Sequence, residues 1–368
     1  MSLVLYRKYR PQKFSEVVGQ EHVVETLKNA IRHNVAGHAY LFCGPRGTGK
    51  TTMARLLAKG VNCKGRKEGD PEPCLTCDSC VEITKGNAID LIEIDAASNR
   101  GIEDMRELKE GVRFAPNKSK YRVFIIDECH QLTKEASTAL LKTLEEPPLH
   151  VIFILATTDP HKMIPTIASR CQRFDFHTFS VKDIANRLAL LIKSEGVSAE
   201  NGVLELAAIN GAGSLRDAES ILTQLITFCG KKITMEEAIK ILGVVEASEA
   251  GNFFDALVKK DATRALLQIQ SVLQRGSDPH QFMKAIVAYA RQMLLAKIDP
   301  VLFNPQVIIL SVEQQKEMLA QTAGVSETEL KEIVKVLIDA NETMKYAPFV
   351  EIPLEVATVE IVGLLEQK

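Results

Sequence analysis

No tryptophan occurs among the 368 residues, and aromatic side chains make up only 5%. A platform stacking the bases of a single nucleic-acid strand is therefore not expected, because such platforms are built from aromatic faces. No apolar run approaches the ~20 residues that a membrane-spanning helix needs. Arg7, Lys8 and Arg10 stand where a signal peptide would place its apolar core. The expectation is a cytoplasmic protein with no membrane partner, whose eight cysteines stay reduced unless a metal holds them. Net charge is scarce too: 45 basic residues meet 47 acidic ones, a formal −2. Any contact with DNA must then rest on a local concentration of Lys and Arg. The remainder, 46% hydrophobic and 25% charged, is ordinary for a soluble globular chain long enough for two or three domains.

Up to about residue 178, short apolar runs alternate with helical patterns. "AYLFC" (Ala39–Cys43), "DLIEID" (Asp90–Asp95), "RVFIID" (Arg122–Asp127), "VIFILAT" (Val151–Thr157) and "QRFDFH" (Gln172–His177) read as strands. Near-continuous apolar strands separated by helices predict an α/β fold, a parallel five-stranded sheet covered on both faces. After Phe179 the chain reads as helical to its end. Ser180 with Asp183 opens one amphipathic helix, with Ile184, Leu188, Leu191 and Ile192 at helical spacing. Ser326 with Glu329 opens another, with Leu330, Ile333, Val334, Leu337 and Ile338 on one face. Boundaries are expected near 179 and, more weakly, near 243. The basic run Asn117–Arg122 reads as a solvated loop before a strand.

"GPRGTGKT", comprising Gly44, Pro45, Arg46, Gly47, Thr48, Gly49, Lys50 and Thr51, lies between a predicted strand and a predicted helix that continues with Thr52. That context makes it a phosphate-binding loop. Glycines let backbone N–H groups turn toward phosphates, and the helix N-terminus adds partial positive charge. Lys50 is placed to reach the β- and γ-phosphates of ATP and Thr51 to supply a hydroxyl to Mg²⁺. "VFIIDECH" delivers Asp127 and Glu128 to a strand's carboxyl end, where α/β sheets bind ligands. Asp127 suits the Mg²⁺ shell, and Glu128 suits polarising an attacking water. "ATTDP" puts Thr157 and Thr158 beside the same site.

Cys63, Cys74, Cys77 and Cys80 form a second constellation, one cysteine and then C-x-x-C-x-x-C after a polar loop. Four thiolates at this spacing can close a tetrahedral Zn²⁺ site. An iron–sulfur cluster is the rival occupant. With four protein thiolates as ligands, no position is left for a catalytic water, so a structural zinc is expected. Cys43, Cys129, Cys171 and Cys229 read as small buried hydrophobes. "IASRCQRF" carries Arg170 and Arg173 at the seam between the strand-rich and helical parts. By themselves they are equally compatible with surface ion pairs.

Together, "YRKYRPQKFSEVVGQEHV", "HAYLFCGPRGTGKTT", the four-cysteine insert, "IEIDAAS", "LLKTLEEPP", "LATTDP", "SRC" and "GAGSLRDAES" resemble the gamma/tau clamp-loader subunits of bacterial DNA polymerase III, which are AAA+ ATPases. The resemblance is dense to about residue 220 and weaker beyond. It implies a RecA-like ATPase domain over 1–179 with a zinc insert at 63–80, a helical lid over 180–243 and a helical collar over 244–368. It further implies that Val17, Val18 and Gly19 lie near the adenine. Thr157 or, in the preferred register, Thr158 would sense the γ-phosphate. Arg216 would reach its own chain's phosphates, and Arg170 would act in trans as an arginine finger on a neighbour's ATP. Arg173 would make an ordinary surface pair.

The function so implied is ATP-driven opening and release of a sliding clamp on primer–template DNA. Partners would be delta and delta-prime subunits, further copies of the chain, the clamp, and DNA read through its backbone. Arg100 and Arg106 are candidate phosphate contacts, with helix salt bridges an equal alternative. The chain stops at Lys368, as a short gamma-like form or a shortened chain would. A helicase or branch-migration motor and a non-hydrolysing ring scaffold are the competing readings.

Overall fold

The computed structural model describes residues 4–99, 101–242, 247–302 and 312–366. The chain divides into two compact units, Met1–Ser198 with Ala207–Ile226, and Ala199–Leu206 with Thr227–Lys368. The first unit is built on five parallel strands: β1 Ala39–Cys43, β2 Leu91–Asp95, β3 Arg122–Asp127, β4 Val151–Thr157 and β5 Gln172–Asp175, in the order β2-β3-β4-β1-β5.

Alternation along each strand explains why the inner strands read as apolar throughout. Tyr40 and Phe42 of β1, Val123 and Ile125 of β3, and Ile152 and Ile154 of β4 enter one buried cluster. The helices Glu21–Arg32 and Lys50–Asn62 supply its other wall with Leu27, Ile31, Met53 and Leu57. Leu41, Phe124, Ile126, Phe153 and Leu155 face the opposite cluster, closed by Met105, Leu108, Leu140 and Leu144 of the helices Ile102–Val112 and Lys134–Glu145. Each such side chain contributes roughly 1.5–3 kcal/mol on full burial. Edge strands β2 and β5 are half exposed.

Two strand bounds differ from expectation. Asp90 lies just before β2 and is 5% exposed. Its carboxylate accepts the amides of Asn117, Lys118 and Ser119 at 2.7, 2.9 and 2.8 Å. The basic loop is therefore tied down by its backbone while its lysines stay in solvent. β5 ends at Asp175, because Phe176 turns into the core under Gly44.

The second unit is a helical bundle over Ala247–Val258, Ala262–Gln274, Pro279–Ile298, Val312–Ala323, Glu327–Thr343 and Ile352–Glu366. Phe253, Phe254, Phe282 and Tyr289 interlock in its core. The capping box of Ser326 and Glu329 is formed. Ile338, expected on the buried face, is 46% exposed, and Ala340 takes the inward position. A helix turns 100° per residue, so a fifth large apolar side chain runs off the buried stripe. The run after Phe179 is not wholly helical either: Ser198–Ala199 and Lys232–Ile233 are two-residue strands. Among the described residues, no helix is long and apolar enough to cross a membrane.

Candidate functional site

β1 ends at Cys43, and the chain then turns through a loop that only glycine can make at two positions. A Cβ at Gly44 would sit 2.4 Å from the Phe176 carbonyl oxygen. At Gly47, with φ +74°, a Cβ would sit 1.8 Å from Ser214 Oγ. Gly49 caps the helix Lys50–Asn62 without a side chain, so the first amides of that helix stay available for an anion. Lys50 is 6% exposed and donates to the carbonyls of Gly44 and Pro45 at 2.6 and 2.8 Å. Burial pushes its pKa down, against the raising influence of Glu128 and Asp127. Thr48 Oγ1 closes the loop onto the Pro45 carbonyl at 2.8 Å.

The carboxylates arrive from β3. Asp127 Oδ2 accepts the Thr51 hydroxyl at 2.8 Å. A hydroxyl and a carboxylate at this distance are hard oxygen donors of the kind Mg²⁺ takes. Glu128 follows in the left-handed region, φ 48°, which turns its side chain back across the strand ends. Its Oε2 accepts the Thr158 hydroxyl at 2.7 Å and the Thr158 amide at 3.3 Å. His130 Nδ1 lies 3.5 Å from the same oxygen and 3.0 Å from Thr157 Oγ1. Thr157 is fully buried and also accepts the Asp159 amide. Of the two threonines, Thr158 is the one that touches Glu128.

Gly47, Thr48, Gly49, Lys50, Thr51, Asp127 and Glu128 line one cleft of about 160 Å³ that also takes in Arg46, Thr52, Val17, Val18 and Arg216, whereas Gly44, Pro45, His130, Thr157 and Thr158 are not part of its lining. Ser214 accepts the Asp217 amide at 3.1 Å and so starts the helix Leu215–Cys229, whose first turn carries Arg216. The Arg216 guanidinium lies 4.9 Å from the centre of the Tyr6 ring, and its closeness to the phenol draws the Tyr6 pKa down. Gly19 packs against Phe179 and does not line the cleft. Neither does Arg170, which pairs with Glu145 at 2.5 Å and donates to the Thr166 carbonyl at 2.7 Å. Arg173 pairs with Asp175 at 2.7 Å. Arg100 lies outside the described residues, as does the side chain of Arg106.

Sequence reasoning passed over Tyr6, Arg187, Glu219 and His130. Arg187 and Glu219 line the cleft as a pair at 3.2 Å, Glu219 buried and Arg187 partly so. Only the approach of separate helices brings them together. His130 alone carried a local signal, standing two residues after Glu128.

The four-cysteine set is gathered as expected: the Sγ atoms of Cys63, Cys74, Cys77 and Cys80 all lie within 4.8 Å of one another. Zinc–sulfur bonds of ~2.3 Å in a tetrahedron separate the sulfurs by about 3.8 Å, so the set has the size for one ion rather than a multi-iron cluster. The Cys74 and Cys77 amides donate to Cys63 and Cys74 sulfur at 3.2 and 3.3 Å. At Cys74 burial works upward, but hydrogen bonds from Thr76 and Cys77 prevail and draw the thiol down to about 5. Cys74→Ser is expected to take bound zinc from one per chain to none and to lower the thermal midpoint. Elemental analysis and calorimetry check both, because structural zinc binding is itself folding free energy. Of the other cysteines, Cys43 and Cys129 are buried as expected, whereas Cys171 and Cys229 are half-buried at element ends.

Known proteins align with this arrangement over nearly the whole chain. The DNA polymerase III subunit gamma of Buchnera aphidicola is 32% identical across 98% of this chain and 99% of that protein. The chain belongs to the DNA polymerase III gamma/tau family. The subunit tau of Bacillus subtilis is 43% identical over 97% of this chain, and that of Escherichia coli 37% identical over 94%. The chain spans 62% and 53% of those two proteins. Family models match in series: "DNA polymerase III, delta subunit" at 19–180, "DNA polymerase III clamp loader subunit, ATPase lid domain" at 183–231, and "DNA polymerase III subunits gamma and tau domain III" at 233–367. The strand-rich unit is thus an AAA+ module, as the sequence resemblance implied.

Proposed function

We propose that the chain is the ATP-hydrolysing motor subunit of a sliding-clamp loader, with the ATPase part over 1–179, the lid over 180–243 and an oligomerising collar over 244–368. The observation that carries this reading is the convergence of Lys50, Thr51, Asp127, Glu128 and Arg216 on one cleft, with Thr158 on Glu128. Lys50 and the loop amides hold the phosphates of ATP, Val17 and Val18 flank the base, and Arg216 clamps the phosphates from the lid side. Mg²⁺, held by Thr51 and Asp127, would neutralise charge on the β- and γ-phosphates. Glu128 takes the proton of the attacking water, and Thr158 orients its carboxylate. Arg170 stays outside its own cleft and serves a neighbouring copy's γ-phosphate. Cys63, Cys74, Cys77 and Cys80 would hold a structural zinc.

The delta-type subunits, the clamp and primer–template DNA are the partners this reading requires. DNA is gripped by its backbone, since loading must be independent of sequence. Intact Lys50, Asp127 and Glu128 argue against a non-hydrolysing scaffold. The test is ATPase rate in the assembled loader. Clamp and primed DNA together should raise it severalfold; a rate indifferent to both would sink the proposal.

A further inference from the structure

No residue of the four-cysteine insert lines the cleft, yet the insert grips the segment that forms the cleft's base-side wall. Pro11, Glu16, Val17 and Val18 line that wall. This strap has little secondary structure of its own, one 3₁₀ turn at Phe14–Glu16. Its Phe14 and Ser15 amides both donate to one carboxylate, Glu72, at 2.8 and 2.9 Å. Glu72 sits in the insert, two residues before Cys74, and is itself set by its amide on Asp70 Oδ1 at 3.0 Å. A second tie runs through Gln12. Its Oε1 accepts from the buried Lys59 ammonium and lies 3.2 Å from the Thr84 hydroxyl. The same hydroxyl also faces the Cys80 carbonyl at 2.8 Å, so its single proton is shared between the two acceptors and this tie is the weaker one. Gln12 passes the restraint along the strap through its bonds to Arg10 and Glu16, each 2.7 Å.

We infer that the four-cysteine insert is a buttress for nucleotide binding, in which Glu72, seconded by Thr84, positions the strap against the adenine end of the cleft. Two charge-assisted bonds to neighbouring amides fix both position and direction of that backbone. Without them the strap must be ordered by the nucleotide, and the ordering cost is subtracted from affinity. The phosphate loop hangs from β1 and its own helix, so phosphate recognition is left untouched. Glu72 and Thr84 are positioning residues, acting through the strap. This inference rests on the nucleotide reading of the cleft and, for the role of the ion, on the zinc reading of the cysteines.

The experiment compares full-length wild type with Glu72→Ala and Thr84→Val, measuring affinity for ATP, ADP and Mg²⁺-tripolyphosphate, zinc per chain, and steady-state ATPase in the assembled loader. For Glu72→Ala the expected result is an approximately tenfold weaker Kd for ATP and ADP, with tripolyphosphate affinity and zinc unchanged. KM for ATP should rise alike, with kcat as in wild type. Thr84→Val should move the same values about threefold, and it decides the matter if Glu72→Ala does not fold. Unchanged ATP affinity in a folded, zinc-loaded variant overturns the inference. So does an equal loss for tripolyphosphate, which would signify general loosening. A wild-type chain that binds tripolyphosphate and ATP with equal affinity would instead sink the base-side reading of the cleft. A wild-type chain purified without zinc would remove the ion's part while the Glu72 measurement still stands.

Discussion

Arg170→Ala chains are expected to bind ATP as wild type does and to silence hydrolysis in the wild-type neighbour they touch, by about 10³-fold or more. Arg170 follows the short helical turn Pro165–Ala168 by two residues, and its side chain lies at the surface, one-third exposed, on Glu145. An exposed pair of this kind contributes about 0–1 kcal/mol, so its loss should not disturb the fold. Nor is a role in its own cleft open to it, since it does not line that cleft. A guanidinium delivered across an interface gives hydrolysis a condition, correct assembly, that no residue of the ATP-holding chain could impose. Loaders reconstituted from mixed wild-type and variant chains provide the measurement. Activity that averages in proportion to the wild-type fraction would mean that Arg170 serves no neighbour's ATP.

Glu128→Gln should lower kcat by about 10²–10⁴-fold, the usual worth of a positioned general base, while ATP binding persists. The amide oxygen of glutamine can still accept the Thr158 hydroxyl now 2.7 Å from Oε2, so the left-handed turn and the strand ends should keep their geometry. What disappears is the capacity to take a proton. Lys50, Thr51 and Asp127 are untouched, and nucleotide affinity should change less than twofold. Equilibrium binding beside single-turnover hydrolysis separates the two effects. Hydrolysis within threefold of wild type would remove Glu128 from the role of base.

Much of the first unit was legible because its signals are local. A loop that needs glycine at fixed positions, four inner-strand residues leading to two acids, and a serine three residues before its capped partner each announce themselves within ten residues. The four-cysteine set reaches further along the chain, but its C-x-x-C-x-x-C core at Cys74, Cys77 and Cys80 is equally local. What stayed hidden depends on approach between distant segments: the pair Arg187–Glu219, Tyr6 beneath Arg216, and the choice between Thr157 and Thr158. That last choice turns on which hydroxyl the Asp159 amide and His130 occupy. The strand bounds failed where a side chain had a better use, as Asp90 did in collecting three amides. In the helical unit, periodicity located the helices but overran the stripe at Ile338, since a buried face is as wide as its neighbours allow.

At Gly47 the phosphate loop and the start of the lid helix approach with no room for a methyl group between them. The two act as seat and stop: the lid helix can rock toward the loop only until Ser214 meets backbone. Substitutions at 47 and 214 are then not independent. Bulk added at one is tolerated only by withdrawing the other, and withdrawal carries with it Arg216, two residues after Ser214 in the first turn of the same helix. A single hydrogen atom in place of a side chain thus sets the spacing between the loop and the lid helix.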